Sequence, residues 1–172
     1  VGGGVRGPSA DSSLVDRIDY SSDTSTAVAK GPLSQARKYQ GATGNRSHGY
    51  HAGGSGPIVS TIDRIDYNND TATAVVRGPL TSAKAYQAGA VSATENALPL
   101  TTVIGNNISV GTDYGYCVGG GNPGALSSTD RIDFSNDTST ASSKGSLVTT
   151  TSNAAGFSNT SYGYLAGGTG TP

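Results

Sequence analysis

A five-residue block, written three times, constrains this chain more than any other feature. Asp-Arg-Ile-Asp-Tyr begins at Asp16 and at Asp63, and Asp-Arg-Ile-Asp-Phe begins at Asp130. Seven residues after each first Asp stands an Asp-Thr pair: Asp23-Thr24, Asp70-Thr71 and Asp137-Thr138. Fourteen residues after it stands a basic residue followed by Gly: Lys30-Gly31, Arg77-Gly78 and Lys144-Gly145. A second marker, a Gly-Gly pair, occurs at Gly2-Gly3, Gly53-Gly54, Gly119-Gly120 and Gly167-Gly168, with spacings of 51, 66 and 48 residues. The last three pairs close the pattern aromatic-or-His, Gly, Tyr, two residues, Gly-Gly. Fixed spacing at a period near 50 residues signals a repeat architecture. The chain reads as one repeat domain: repeat one over 1–52, repeat two over 53–118 with an insertion at about 91–111, and repeat three over 119–172.

Each repeat reads as short strands between turns. Thr61 to Tyr67 is rich in β-branched and aromatic residues and ends in the turn cluster Asn68-Asn69-Asp70. Thr71 to Val76 predicts a second strand, broken by Gly78-Pro79. Ser82 to Ala90 suits helix or strand in isolation, and its neighbours favour strand. Tyr114 to Val118 predicts a fourth, ended by Gly119-Gly120. Four strands in about 50 residues matches the size of a β-propeller blade. The expected class is all-β.

Composition supports this and removes other classes. Gly, Ser and Thr make up 69 of the 172 residues, only 34% are hydrophobic, and Trp and Met are absent, which leaves little for a large helical core. Eleven basic residues face twelve acidic ones, so the chain lacks the electrostatic footprint of a nucleic-acid binder. No apolar run approaches the ~18 residues of a membrane helix, so no membrane insertion is expected. Balanced charge and fixed apolar spacing argue against a disordered linker.

The Gly-Gly strand end, with an aromatic some 13 to 18 residues later, resembles a kelch repeat. The DRIDYSNDT-type block, with Lys-Gly-Pro-Leu-Ser and Tyr-Gly-Tyr before Gly-Gly, resembles the kelch-like repeats of marine phage virion proteins, especially cyanophage tail-fibre or structural proteins. The likeness covers essentially the whole chain. It departs from the usual kelch pattern in having no Trp. It implies kelch-like four-stranded β-propeller blades and a virion or extracellular location.

The repeated block carries most of the candidate chemistry. Asp19, Ser21 and Asp23 alternate, as do Asp66, Asn68 and Asp70, and Asp133, Ser135 and Asp137. Oxygens at this spacing open many Ca²⁺ loops, but no Gly stands at the sixth position and no Glu at the twelfth. The alternative is a turn whose Asx side chains bond local backbone N–H groups. No other cofactor is expected. Arg17, Arg64 and Arg131 each share a strand with two Asp residues. They suit ion pairs between neighbouring repeats, or glycan or carboxylate binding. His48 aligns with Tyr114 and Tyr162, and His51 with Cys117 and Leu165, so both His residues read as packing positions and not as metal ligands. The chain has no G-x-S-x-G, H-E-x-x-H or P-loop, and no enzyme is expected.

The expected role is structural and interactive: a virion surface or tail-appendage component with possible host-surface glycan contact. The alternatives are an extracellular microbial filament or adhesin subunit and a sugar-binding, lectin-like propeller. A partner contact falls to the insertion, which is individual where the repeats are common, at Thr94, Glu95, Asn96, Asn106 and Asn107. Ala93 to Asn107 is expected to form an exposed loop or hairpin. Three blades are too few for a ring of four to eight. The expected partners are therefore other copies, or further blades of a longer chain, joined head-to-tail. In that arrangement Ser152 to Gly168 completes the first unit of another copy, beginning near Leu14.

Overall fold

In the computed structural model, residues 2–7, 10–22, 24–87, 89–92, 113–159 and 162–170 are described. These residues form thirteen short strands and no α-helix. The chain is all-β, with four antiparallel sheets following one another along the sequence. The first sheet holds β1 (Gly2–Arg6), β2 (Ala10–Arg17) and β3 (Val28–Lys30). The second holds β4 (Gly41–Gly44), β5 (His48–Ala52), β6 (Ile62–Asp66) and β7 (Val75–Arg77). The third holds β8 (Gly89–Ser92), β9 (Tyr114–Val118), β10 (Thr129–Asp133) and β11 (Ser142–Lys144). The fourth is the pair β12 (Ala155–Ser158) and β13 (Gly163–Ala166). The second and third sheets are four-stranded meanders in chain order.

The alternation along β6 shows how the sheets stack. Ile62 and Arg64 share a face with Tyr50 and Ala52 of β5, to which they are paired or nearly opposite. That face meets the third sheet in a core of Tyr50, Ala52, Ile62, Leu80, Cys117, Ile132, Phe134 and Ala141. Ile65 points the other way and joins Val15, Leu33 and Ala74 between the first and second sheets. β4 packs on β8 and β9, and β8 on β12 and β13. These contacts suit small residues: a Cβ on Gly89 would press on Leu165, and one on Gly41 on Gln87.

The strand expectations hold in part. Ile62–Asp66 and Tyr114–Val118 are strands, but only Val75 and Val76 of the second expected run lie in a strand, β7. Ser82 to Ala90 contributes only its last residues, in β8. Tyr86 adopts φ 51°, which ends any strand there, as do Tyr39 (φ 58°) and Asn153 (φ 55°) at the matching places.

The first Gly-Gly marker shifts by one residue. Gly53, Gly119 and Gly167 have φ between 61° and 73°, and each following Gly lies between 95° and 114°. In the first repeat this pair is Gly3 (φ 70°) and Gly4 (φ 118°), not Gly2 and Gly3. The hydrogen bonds agree: Gly4 N donates to Arg37 O, as Gly54 N does to Lys84 O and Gly120 N to Thr151 O. Each meander therefore straddles a boundary drawn at a Gly-Gly pair. The expected completion of the first sheet near Leu14 also meets an obstacle. β1 already lies along β2 from Val15 to Ala10, so strands from another copy cannot pair at Leu14 without displacing it.

Candidate functional site: the joints between repeats

The residues singled out in the repeated block converge where one repeat meets the next. Asp70 lies just after the short 3₁₀ turn Tyr67–Asn69. Its carboxylate is held by two cations of the preceding repeat, with Arg17 Nη1 at 2.7 Å from Oδ2 and Lys30 Nζ at 3.1 Å from Oδ1. The hydrogen bonds from Lys30 and Arg17 keep the Asp70 carboxyl below its ordinary range. Asp137 repeats the arrangement after the turn Phe134–Asn136. Arg64 Nη1 lies 2.8 Å from its Oδ2, Arg77 Nε 3.4 Å, and the Tyr50 hydroxyl donates to the same oxygen at 3.0 Å. Burial, followed by the Asp137 charge, pushes the Tyr50 phenol well above its ordinary pKa.

Backbone bonds run beside these pairs. Gly31 N donates to Asp70 O and Ala74 N to Pro32 O, and Gly78 N donates to Asp137 O and Ala141 N to Pro79 O, all at 2.7–2.8 Å. The approach is close enough to require glycine. A Cβ on Gly31 would run into Ala72 O, and one on Gly78 into Ser139 O. This is why the basic residue of the first two repeats is followed by Gly.

Arg131 and Lys144 hold the same places in the third repeat. Arg131 stacks over the Tyr114 ring, 4.0 Å from guanidinium carbon to centroid, and Lys144 is exposed. Around Gly145, where Gly31 and Gly78 are crowded, there is open space.

The alternating Asp-x-Ser-x-Asp runs are built as turns. Asp19 Oδ1 accepts from Ser21 N at 2.9 Å and Ser21 Oγ at 2.7 Å. Asp66 Oδ1 accepts from Asn68 N, and Asp133 Oδ1 from Ser135 N and Ser135 Oγ. The Ser hydroxyls hold Asp19 and Asp133 below the usual carboxylate range. The third carboxylate, Asp70 or Asp137, turns to the cations of the preceding repeat and not to the first two oxygens. In the second and third runs the described contacts are an Asx turn followed by an inter-repeat ion pair. Among the described residues no group of three or more His, Cys, Asp and Glu could hold a metal ion. Asp23 lies outside the described residues, as do Thr94, Glu95, Asn96, Asn106 and Asn107 of the insertion. In sequence, the insertion falls between β8 and β9.

A third spacing completes the pattern. Arg37 and Lys84 stand 21 residues after Asp16 and Asp63. Both are fully buried, as are their partners: Arg37 Nη2 lies 2.9 Å from Asp63 Oδ2, and Lys84 Nζ 2.8 Å from Asp130 Oδ2. Ser34 N also donates to Asp63, and Thr81 Oγ1 to Asp130. Burial pulls the Arg37 guanidinium below its ordinary range, against the opposing pull of Asp63. Sequence reasoning passed over these cations because Thr151 interrupts the series in the third repeat. The first Asp of each block was thus assigned no partner. Gln40 and Gln87 form another repeated pair, donating to Gly2 O and Ala52 O, each at 2.6 Å.

The packing residues sit as the repeat alignment placed them. His51 pairs with Asp63 across the sheet, as Cys117 does with Asp130. The Cys117 thiol is fully buried and pushed up to about 12, too high for a nucleophile. Burial, with Arg37 nearby, lowers the His51 pKa from 6.5 to about 4, so its imidazole is neutral near pH 7. An unfolded chain takes up this proton below pH 6.5 and the folded chain only near pH 4. Stability should therefore fall as pH drops through that window, by about 3 kcal/mol once both states are protonated. His51→Leu, the side chain found at Leu165, should flatten this part of the curve. Denaturant titrations at pH 7, 5.5 and 4 check it: an equal acid loss in wild type and variant would rule His51 out as the cause.

No family model matches this chain, and no curated protein matches it.

Proposed function

We propose that the chain is a non-enzymatic structural and interaction module: a row of kelch-like β-propeller blades on a virion surface or tail appendage, outside the cell. The observation that carries this reading is the repeated joint. Arg17 and Lys30 on Asp70 recur as Arg64 and Arg77 on Asp137, so the charged groups of the block serve to join one repeat to the next. A joint used at every step suits a rigid spacer or shell, because each repeat contacts only its neighbours. Arg131 and Lys144 stand in the third repeat at the places of these cations, and Phe157, Tyr162 and Tyr164 are exposed in the last sheet. The partners that fit them are further blades, from another copy or from a longer chain, joined head-to-tail. Mass spectrometry of purified extracellular particles from the source tests the location. Peptides of this chain should co-purify with virions, and recovery from the cytosol alone would overturn the reading. Recovery with cell-surface filaments would favour the adhesin alternative.

One observation favours glycan contact as a second reading. Tyr39 and Tyr86 lie between strands, half exposed, with rings stacked at 4.4 Å. Exposed aromatic faces in loops suit the apolar face of a sugar. Retention on immobilised host polysaccharide, lost in Tyr86→Ala, would support it, and equal retention of both proteins would count against it.

A further inference from the structure

The chain has no Trp and no Met, and its single Cys117 is fully buried, so the side chains most easily oxidised are missing or out of reach. Next in line are the nine tyrosines. Two of them touch across a joint. Tyr39 and Tyr86 hold the same place in successive repeats, shortly before β4 and β8. Their ring centroids lie 4.4 Å apart, with the planes at 23°, and the residues are 46% and 39% exposed. The backbone fixes both. Each sits at positive φ, 58° and 51°, a conformation costly for an aromatic residue. Each also follows a residue held by two backbone bonds to the segment after a Gly-Gly turn: Lys38 with Ser55, and Ala85 with Gly121. Asn153 N donates to Tyr86 O at 3.1 Å and takes the matching place in the third repeat. The two rings are therefore anchored on separate repeats and already in contact.

We infer that Tyr39 and Tyr86 are a site of oxidative cross-linking, joined as dityrosine by a one-electron oxidant such as a haem peroxidase acting with hydrogen peroxide. Each phenol gives up one electron and its hydroxyl proton. The unpaired spin of each tyrosyl radical spreads onto the ring carbons ortho to the oxygen, and one such carbon from each ring forms the new C–C bond. The hydrogen on each bonded carbon then moves to its oxygen as a proton, which restores both phenols. The peroxide takes the two electrons and two protons and leaves as two waters. Fixed contact between the rings makes the coupling a step within one molecule and not an encounter of two. With one Cys the chain cannot close an internal disulfide, and dityrosine would supply the covalent staple between repeats that a disulfide supplies elsewhere. This inference is separate from the glycan reading of the same rings, which needs no covalent bond.

The test treats dilute whole chain with peroxidase and hydrogen peroxide. The monomer should gain the blue fluorescence of dityrosine and lose the mass of two hydrogen atoms. Trypsin with a Glu-specific protease places Tyr39 in residues 39–46 and Tyr86 in residues 85–95, each the only Tyr of its peptide, so mass spectrometry identifies the linked pair. That pair should be the major product within the monomer. Tyr39→Phe and Tyr86→Phe keep the stacked ring and lose the phenol, and each should remove most of the monomer fluorescence. Tyr20→Phe, at the most exposed tyrosine, should leave it unchanged. The linked protein should melt about 10 °C higher, from loop closure in the unfolded chain. A major product from any other pair, coupling only between chains, full fluorescence in Tyr86→Phe, or an unchanged melting temperature of the linked protein would each overturn the assignment.

Discussion

Asp130→Ala should destabilise the chain by about 3–5 kcal/mol, the largest effect expected of any single substitution of a charged residue here. Asp130 and Lys84 are both fully buried, with Nζ 2.8 Å from Oδ2, and Thr81 Oγ1 donates to the other carboxylate oxygen. Removing the carboxylate leaves an ammonium in the interior with only the Ser128 hydroxyl at 3.0 Å. The cost is the desolvation of that charge and not the loss of a favourable bond. The double replacement Asp130→Leu with Lys84→Met should therefore recover most of the stability, since an apolar pair of similar volume carries no uncompensated charge. Urea denaturation of the single and double variants reads both numbers. A single variant within about 0.5 kcal/mol of wild type would show that water reaches the site. A double variant no better than the single would show that the ion pair, and not its burial, carries the stability.

Gly78→Val should cost about 3 kcal/mol, the upper part of the range for overfilling a packed site. A Cβ on Gly78 would meet the backbone carbonyl of Ser139 in the next repeat, and a carbonyl held in a turn cannot swing away as a side chain would. The shift would also strain the bonds from Gly78 N to Asp137 O and from Ala141 N to Pro79 O, which flank the same contact. Gly31→Val should cost a similar amount, because its Cβ would meet Ala72 O. Gly145→Val is the internal control, after a basic residue and two before a Leu like the others but followed by Ser146 in place of Pro, with open space around it, and it should stay within about 0.5 kcal/mol. Thermal unfolding of the three variants separates a joint effect from a general dislike of Val after a basic residue. Equal losses in all three would remove the joint from the explanation.

The repeat pattern made the all-β class legible, because three copies of one spacing, rich in β-branched residues between turns, need one explanation and short antiparallel strands supply it. It singled out Arg17 and Arg64 for ion pairs between repeats but not their partner, which is the carboxylate seven residues into the next block. Two further things were not legible. The phase was misread because three glycines open the chain, and only the backbone angles show that Gly3 and Gly4, not Gly2 and Gly3, make the turn. The buried pairs at Arg37 and Lys84 were missed because the cations sit in connecting segments, where charge usually means solvent. The signal that finds them is the 21-residue spacing shared by the first two repeats. The turn chemistry of the Asp-x-Ser-x-Asp runs was present as one of two readings. Choosing between them needs the direction of the third carboxylate, which is set by the preceding repeat and not by the run itself.

Native-state hydrogen exchange of four amides tests most directly whether each repeat is locked to the next. Gly31, Ala74, Gly78 and Ala141 each donate across a joint, although all lie in or beside segments that would be exposed turns or edges in an isolated repeat. If the joints hold, these amides exchange as slowly as the amides of β6 and β10 and open together with them, while Gly145, in open space at the same place in the third repeat, exchanges fast. Exchange of all four at the rate of Gly145, with β6 and β10 still protected, would contradict the account.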